Sequence, residues 1–288
     1  MAQVQVQTAE ELHRALAETE PGGVIRLAPG VYRGKFLLQT PGLTLVGAGA
    51  ERTELVWGDY ARKLDEQGQE LNTFRTWTLA VCGDGTRLQD LSVVNEAQHP
   101  EEKGQEVALS VYGDDFHMEH CTLRSTQDTL FLGPLPPDLT ERYEGFLPAY
   151  LNENRPLSQQ LAHCRIEGTV DFIFGCGRAL LEDCQIHSLR EVRGRGYVAA
   201  PAHPLELREG FMFRNCRFTC AEGVPRGSVY LARPWRDYGI AQFDHCLYGP
   251  HIAPEGFDPW NDSRRDLTAR FWESPPVPGR VHWLRNPG

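Results

Sequence analysis

Leu161-Ala-His-Cys164-Arg-Ile166 and, 20 residues on, Leu181-Glu-Asp-Cys184-Gln-Ile186 are two copies of one six-residue module. Three more copies are Met118-Glu-His-Cys121-Thr-Leu123, Phe213-Arg-Asn-Cys216-Arg-Phe218 and Phe243-Asp-His-Cys246-Leu-Tyr248. A further copy, Leu88-Gln-Asp-Leu91-Ser-Val93, carries Leu in the cysteine slot. Successive centres lie 30, 43, 20, 32 and 30 residues apart. The shortest interval marks a unit of about 20 residues, in the range where a fixed period means a solenoid. Longer intervals are then units with insertions on one face. Each module is too short for a helix, and its surroundings are rich in β-branched and aromatic residues. Leu79-Ala-Val81, Val107-Ala-Leu109-Ser-Val111, Thr169-Val-Asp-Phe-Ile-Phe174 and Ser228-Val-Tyr-Leu231 are examples. These read as short strands punctuated by Gly, Asn, Asp and His turns. Parallel strands one turn apart, with no helical crossovers between them, predict an all-β chain: a right-handed parallel β-helix, a single-stranded solenoid. The Cys or Leu of each module is expected to point inward and stack along the axis.

Working outward, Thr8-Ala-Glu-Glu11 has the form of a helix-capping box, followed by Leu12, Ala15 and Leu16 at helical spacing. A short N-terminal helix there is expected to cover the open end of the solenoid, which otherwise exposes strand edges and core. Between Gly133 and Arg155 the repeat is broken by Gly-Pro-Leu-Pro-Pro and a polar and aromatic stretch. It reads as a surface-loop insertion (133–155) that accounts for the 43-residue interval. The Pro-rich tail, 274–288, is expected to run as a loop over the outside. Nothing marks a boundary, so 1–288 reads as one solenoid domain.

With 288 residues, 41% of them apolar, the chain can bury a substantial core. No run approaches the length of a membrane-spanning helix. A net charge of −10 argues against nucleic acid and against anionic membrane surfaces as partners. The opening Met1-Ala-Gln-Val-Gln lacks the basic and apolar segments of a secretory signal, so the expectation is a cytoplasmic protein, or a secreted one if a leader was removed. Five of the eight cysteines occupy the inward repeat slot, where Cys serves as a small buried hydrophobe rather than as a disulfide half.

Familiar nucleophile and metal signatures are missing: no Gly-x-Ser-x-Gly, no His-Glu-x-x-His, no phosphate loop. His117-Met-Glu-His120-Cys121 looks like a metal cluster, but His120 fills the turn slot that Asp, Asn or His fills in the other modules. The informative pair is Asp128 and Asp171, each seven residues after a module cysteine. Equal repeat positions sit above one another in a stacked fold, so the two carboxylates are expected to be neighbours. Asp171 also lies within an apolar strand, where a charge is costly unless paired or functional. Gln105 lies 22 residues before Gln127, about one unit, so the two amides are expected to face one groove. Arg233 completes the set of groups suited to chemistry.

Gly168-Thr-Val-Asp-Phe-Ile-Phe-Gly175, Gln127-Asp-Thr-Leu130 and Leu231-Ala-Arg-Pro-Trp235 together resemble the pectin methylesterases, the pectinesterase family of carbohydrate esterases. Gly30-Val-Tyr32 and Ile252-Ala-Pro-Glu-Gly256 extend the likeness over nearly the whole chain, and the 133–155 insertion looks like a loop of the family's bacterial branch. The resemblance implies a β-helical enzyme that removes methyl esters from homogalacturonan or oligogalacturonides as a monomer, with no metal and no cofactor. It implies Asp171 as nucleophile, Asp128 as general acid/base, Gln105 and Gln127 as oxyanion-binding amides and Arg233 as the partner of the nucleophile. Phe174 and Trp235 match groove aromatics that bind substrate. The chain departs from the family at Gly34, Ala232 and Phe257, where Glu, Gly and Trp are usual; the expected effect is on groove shape, not on the catalytic groups.

Elementary electrostatics fits these roles. Arg233 is expected to hold the Asp171 pKa down through a charge-assisted hydrogen bond. Asp128, beside an ionised Asp171 in an apolar groove, is expected to rise and start protonated. Paired carboxylates on a β-helix also fit a polygalacturonase-like glycosidase, which leaves the two Gln and the Arg without a task. A calcium-dependent lyase needs an acidic ligand cluster that the sequence does not offer. A silent sugar-binding solenoid would use the aromatics alone. Arg193, Arg195 and Arg236 read as solvated surface charge.

Overall fold

The third residue of every module is a corner. Asp90, His120, His163, Asp183, Asn215 and His245 all have φ between 50° and 55°, the left-handed region that Asn, Asp and His tolerate best among side-chain-bearing residues. The chain turns there from one sheet into the next. A computed structural model of the chain describes residues 3–97, 104–261, 263–280 and 283. Among these, three parallel sheets of ten, seven and eight strands run the length of the molecule. Together they make a right-handed parallel β-helix.

The sequence modules are the pairing register. Met118 pairs with Leu161, Leu161 with Leu181, Leu181 with Phe213 and Phe213 with Phe243 in the ten-stranded sheet. Beyond the corner, Leu123 pairs with Ile166, Ile166 with Ile186 and Ile186 with Phe218 in the eight-stranded sheet. All of these side chains belong to one core cluster reaching from Val6 to Phe271. Cys121, Cys164, Cys184 and Cys216 are buried in it and Cys246 is half-buried at its end. Each of these thiols donates to the carbonyl two residues upstream, for example Cys121 to Glu119 at 3.2 Å and Cys184 to Glu182 at 3.3 Å. Cysteine suits the slot because it is small, apolar and able to serve that corner carbonyl. His120 stacks on His163 with ring centroids 5.2 Å apart, so its place is the corner column.

Helix α1 (Ala9–Glu18) sits where the sequence predicts, with Thr8 accepting from the Glu11 amide and Leu12, Ala15 and Leu16 buried on the solenoid end. Two expectations need correction. The 133–155 insertion is more than a surface loop: it contains helix α2 (Pro137–Arg142) and buries Leu135, Leu139, Leu147 and Leu151. These leucines pack with Phe74, Phe131 and Phe174 on the outer face of the seven-stranded sheet. Apolar surface on both faces of that sheet drives the packing. The tail does not simply run outside, because Trp283 returns to stack on Phe271 at 5.5 Å and covers the far end of the core. Its residues 281, 282 and 284–288 lie outside the described set.

Gly175 ends the strand Val170–Gly175 at φ 132°, and a Cβ there would lie 2.1 Å from the Leu132 carbonyl oxygen of the coil below. Gly175→Ala is therefore expected to cost at least about 2 kcal/mol through backbone strain and overpacking. Chemical denaturation checks it, the midpoint falling with the slope unchanged.

Candidate active site

The site grows from the seven-stranded sheet. Its strands Leu109–Val111, Leu130–Leu132, Val170–Gly175, Gly196–Pro201 and Val229–Ala232 lie on successive coils. Gln105 precedes the first of these, Gln127 and Asp128 precede the second, Asp171 lies within the third and Arg233 follows the last. Gln127 bridges to Val170 and the Asp128 amide donates to the Val170 carbonyl at 3.0 Å, which sets Asp128 level with Asp171 one coil on. Both aspartates adopt left-handed backbone, at φ 64° and 49°.

A register shift between Val170 and Ile173 makes a bulge at Asp171–Phe172. Phe172 and Ile173 consequently both enter the inner core, while Phe174 faces outward into the second cluster. Such bulges re-aim a side chain, and here the one re-aimed is the acid.

One cavity of about 390 Å³ is lined by all seven sequence-predicted residues: Gln105, Gln127, Asp128, Asp171, Phe174, Arg233 and Trp235. Arg233 grips Asp171 with two parallel bonds, Nε to Oδ1 at 2.7 Å and Nη2 to Oδ2 at 2.6 Å. Asp171 and Asp128 are each only 7% exposed. Burial pushes the Asp128 carboxyl well above the ordinary range, with the Asp171 charge adding to it; Arg233 and a hydrogen bond from Gln127 act the other way. Burial raises Asp171 as well, against the opposing pull of Arg233. This corrects the expectation that Arg233 alone sets Asp171 low: desolvation outweighs it. Arg233 still makes Asp171 the ionised member of the pair, and Asp128 the one that keeps its proton.

The two amides stand level, as their spacing predicts: the Glu106 amide donates to the Gln127 carbonyl at 3.0 Å, which sets Glu106 level with Asp128 and Gln105 with Gln127. The Ala108 and Leu109 amides both donate to the Thr129 carbonyl, an irregularity that brings Leu109 level with Leu130. Gln105 lines the cavity from the irregular chain ahead of its strand. Phe174 is 2% exposed and forms the floor rather than a face, with Trp235 edge-on to it at 5.7 Å.

Sequence reasoning missed Phe74, Tyr143 and Trp260, which also line the cavity. Phe74 and Tyr143 meet edge-on at 5.6 Å, and the Tyr143 hydroxyl donates to Asn72 at 2.8 Å. For Tyr143 the aromatic residues of the insertion were the available signal; Phe74 and Trp260 had none. Two arginines read as surface charge prove to be structural neighbours of the site. Arg236 holds Asp138 of α2 with bonds of 3.0 and 2.6 Å, pinning the insertion beside the groove. Arg193 donates to the Gln127 Oε1 at 3.2 Å and is itself held by Glu191 at 2.7 Å, leaving the Gln127 NH2 to face the acid pair. Arg195 is exposed, as Arg193 is, with its guanidinium 5.9 Å from the Tyr230 ring centroid. The departures at Ala232 and Phe257 do not shape the groove, since both side chains are buried in the inner core. Gly34 lies apart too, beside His13 of α1 and Phe36.

Such an arrangement holds one charged and one protonated carboxyl beside amide donors. The Pectinesterase family model matches residues 3–134 and 149–274. The chain belongs to the pectinesterase family. The gap in the match coincides with most of the insertion that carries α2 and walls the groove. Pectinesterase QRT1 of Arabidopsis thaliana is 29% identical over 256 residues, 86% of this chain and 60% of that protein. Pectinesterase 31 of the same plant is 30% identical over 257 residues, 87% of this chain and 72% of that protein. The solved pectin methylesterase from carrot superposes with a TM-score of 0.80 at 25% identity, covering 97% of this chain and 86% of that one.

The raised Asp128 has a thermodynamic signature. The folded chain holds this proton more tightly than the unfolded chain, so the associated stability is whole below about pH 3.9, the unfolded value. It is lost as pH rises through the higher folded value. Asp128→Asn is expected to flatten the dependence of melting temperature on pH and to exceed the wild type at pH 8. Thermal melts between pH 4 and pH 8 check this; a wild-type curve no steeper than that of the variant contradicts it.

Proposed function

We propose that this chain is a pectin methylesterase, hydrolysing the methyl esters of homogalacturonan or its oligosaccharides to free carboxylates and methanol. The observation that carries the reading is the bidentate Arg233–Asp171 pair beside a buried Asp128 that favours its protonated form. Membership of the pectinesterase family supports it.

The steps follow from the geometry. A carboxylate is a weak nucleophile unless it is ionised, oriented and partly stripped of water, and Arg233 and burial give Asp171 all three properties. An Asp171 oxygen attacks the ester carbonyl carbon, and the carbonyl oxygen takes the negative charge. Gln127 and Gln105 supply amide N–H donors for that oxygen, an interaction of about 2.7–4 kcal/mol for a typical oxyanion donor. Collapse breaks the bond to the methoxy oxygen, which receives the Asp128 proton and leaves as methanol. The acyl-enzyme is a mixed anhydride of Asp171. Asp128, now ionised, takes a proton from water as the water attacks, and Asp171 departs as carboxylate. The product acid and a reprotonated Asp128 restore the starting state. Trp235 and Tyr143 offer sugar-stacking surface around the pair.

Incubation with methylated pectin and with pectate tests the reading by three products. Methanol without new reducing ends or unsaturated ends is expected; reducing ends indicate a glycosidase and unsaturated ends a lyase. Asp171→Ala is expected to lose at least about 10³-fold in methanol release with its circular dichroism spectrum intact. Near-normal turnover in that variant removes Asp171 from its role. Gln127→Leu is expected to lower kcat by about 10²-fold with KM little changed, as measured by initial rates, because its bond strengthens only in the transition state.

A further inference from the structure

One charge changes place during the proposed cycle. Before attack the anion is Asp171, in direct contact with Arg233; after methanol leaves, Asp171 is an acyl group and the anion is Asp128. Arg233 is permanently charged and half-buried. A mobile guanidinium would follow the negative charge across to Asp128 and occupy the base that must accept the water proton.

Two aromatic rings lie against the guanidinium. The Arg233 guanidinium carbon lies 3.8 Å from the ring centroid of Tyr197 and 3.9 Å from that of Trp260. Tyr197 comes from the strand Gly196–Pro201, paired through Tyr197 with Val170, next to Asp171. It is backed by Tyr230, stacked at 5.6 Å and 16°. Trp260 comes from a loop where Asp258 Oδ1 accepts its amide proton at 2.8 Å, fixing its left-handed backbone at φ 66°. With ring contacts 3.8 and 3.9 Å away, only the edge of the guanidinium carries usable donors, and two of those are spent on Asp171.

We propose that Tyr197 and Trp260 are positioning residues that clamp Arg233 in one plane through the whole cycle, holding it at Asp171 while the negative charge resides on Asp128. The inference rests on the esterase reading above. The ring faces attract the cation while its own carboxylate is acylated, an interaction that is strongest where water is excluded. The step served is deacylation, because Asp128 must then be a free base.

Pre-steady-state methanol release separates the steps, since methanol marks acylation. Tyr197→Leu is expected to show a burst approaching one methanol per enzyme, followed by a steady rate about 10- to 30-fold below wild type. Tyr197→Phe, which keeps the ring face, is expected to restore the steady rate. Trp260→Leu serves as a second variant and is expected to show the same burst. A Tyr197→Leu enzyme with wild-type steady turnover, or with both phases lowered alike and no rescue by Phe, overturns the proposal. An activity-independent reading uses [15N]arginine NMR: the slowly exchanging Arg233 Nε–H signal is expected to persist in Tyr197→Phe and to be lost in Tyr197→Leu. An unchanged signal in Tyr197→Leu overturns the clamp. A wild type that releases no methanol defeats the esterase reading instead, and the NMR comparison still decides whether the rings hold Arg233.

Discussion

Parallel pairing in strict register, one coil above the next, is the constraint on which the rest of this molecule depends. Neighbouring strands are about 4.8 Å apart, so side chains at equal positions on successive coils are forced into contact distance whatever their chemistry. In the core this stacks Phe213 on Phe243 at 4.8 Å, almost coplanar at 3°. On the outer face of the seven-stranded sheet it sets Asp128 level with Asp171. Like charges at that spacing cannot both persist under cover. One acid keeps its proton and the other takes Arg233. The proposed division of labour between a proton donor and a nucleophile thus follows from stacking and burial together.

Burial at the site is supplied from outside the repeat. A solenoid face open to water would leave both carboxylates hydrated and ordinary. Here the α2 insertion and the short turn Thr73–Arg75 lay Leu139, Tyr143 and Phe74 along the groove. The insertion is fastened by Arg236 on Asp138, and the Phe174–Phe131–Phe74 cluster makes its apolar floor. Arg142 and Arg236 line the same groove, and beside it Arg193, held by Glu191, orients Gln127.

The fold was legible because the module encodes the register itself: the slots of Met118, Leu161, Leu181, Phe213 and Phe243 are the paired positions. The aspartate pair was legible for the same reason. Gln105 was legible by the same counting: its spacing of 22 residues to Gln127 is the coil length there, since the Glu106 amide bonds the Gln127 carbonyl as the Asp128 amide bonds that of Val170. Phe74, Tyr143 and Trp260 lie on excursions between strands, where no period governs position and long-range packing decides. The folding of the insertion was hidden because Leu135, Leu139, Leu147 and Leu151 follow neither helical nor strand spacing throughout. The rise of Asp171 despite Arg233 was hidden too, since a sequence names the partner of a charge but not the depth of its burial.

The left-handed corners carry a consequence for how such a site can arise. A coil that must bend sharply at a side-chain-bearing residue selects Asp, Asn or His for conformational reasons alone, as the column Asp90, His120, His163, Asp183, Asn215 and His245 attests. Asp128 and Asp171 share that backbone state on another edge of the prism. The architecture therefore stocks its bends with acids and imidazoles before any reaction is selected. Two vertically adjacent bends that both happen to hold aspartate already form the rudiment of a catalyst, awaiting only a cation and a roof.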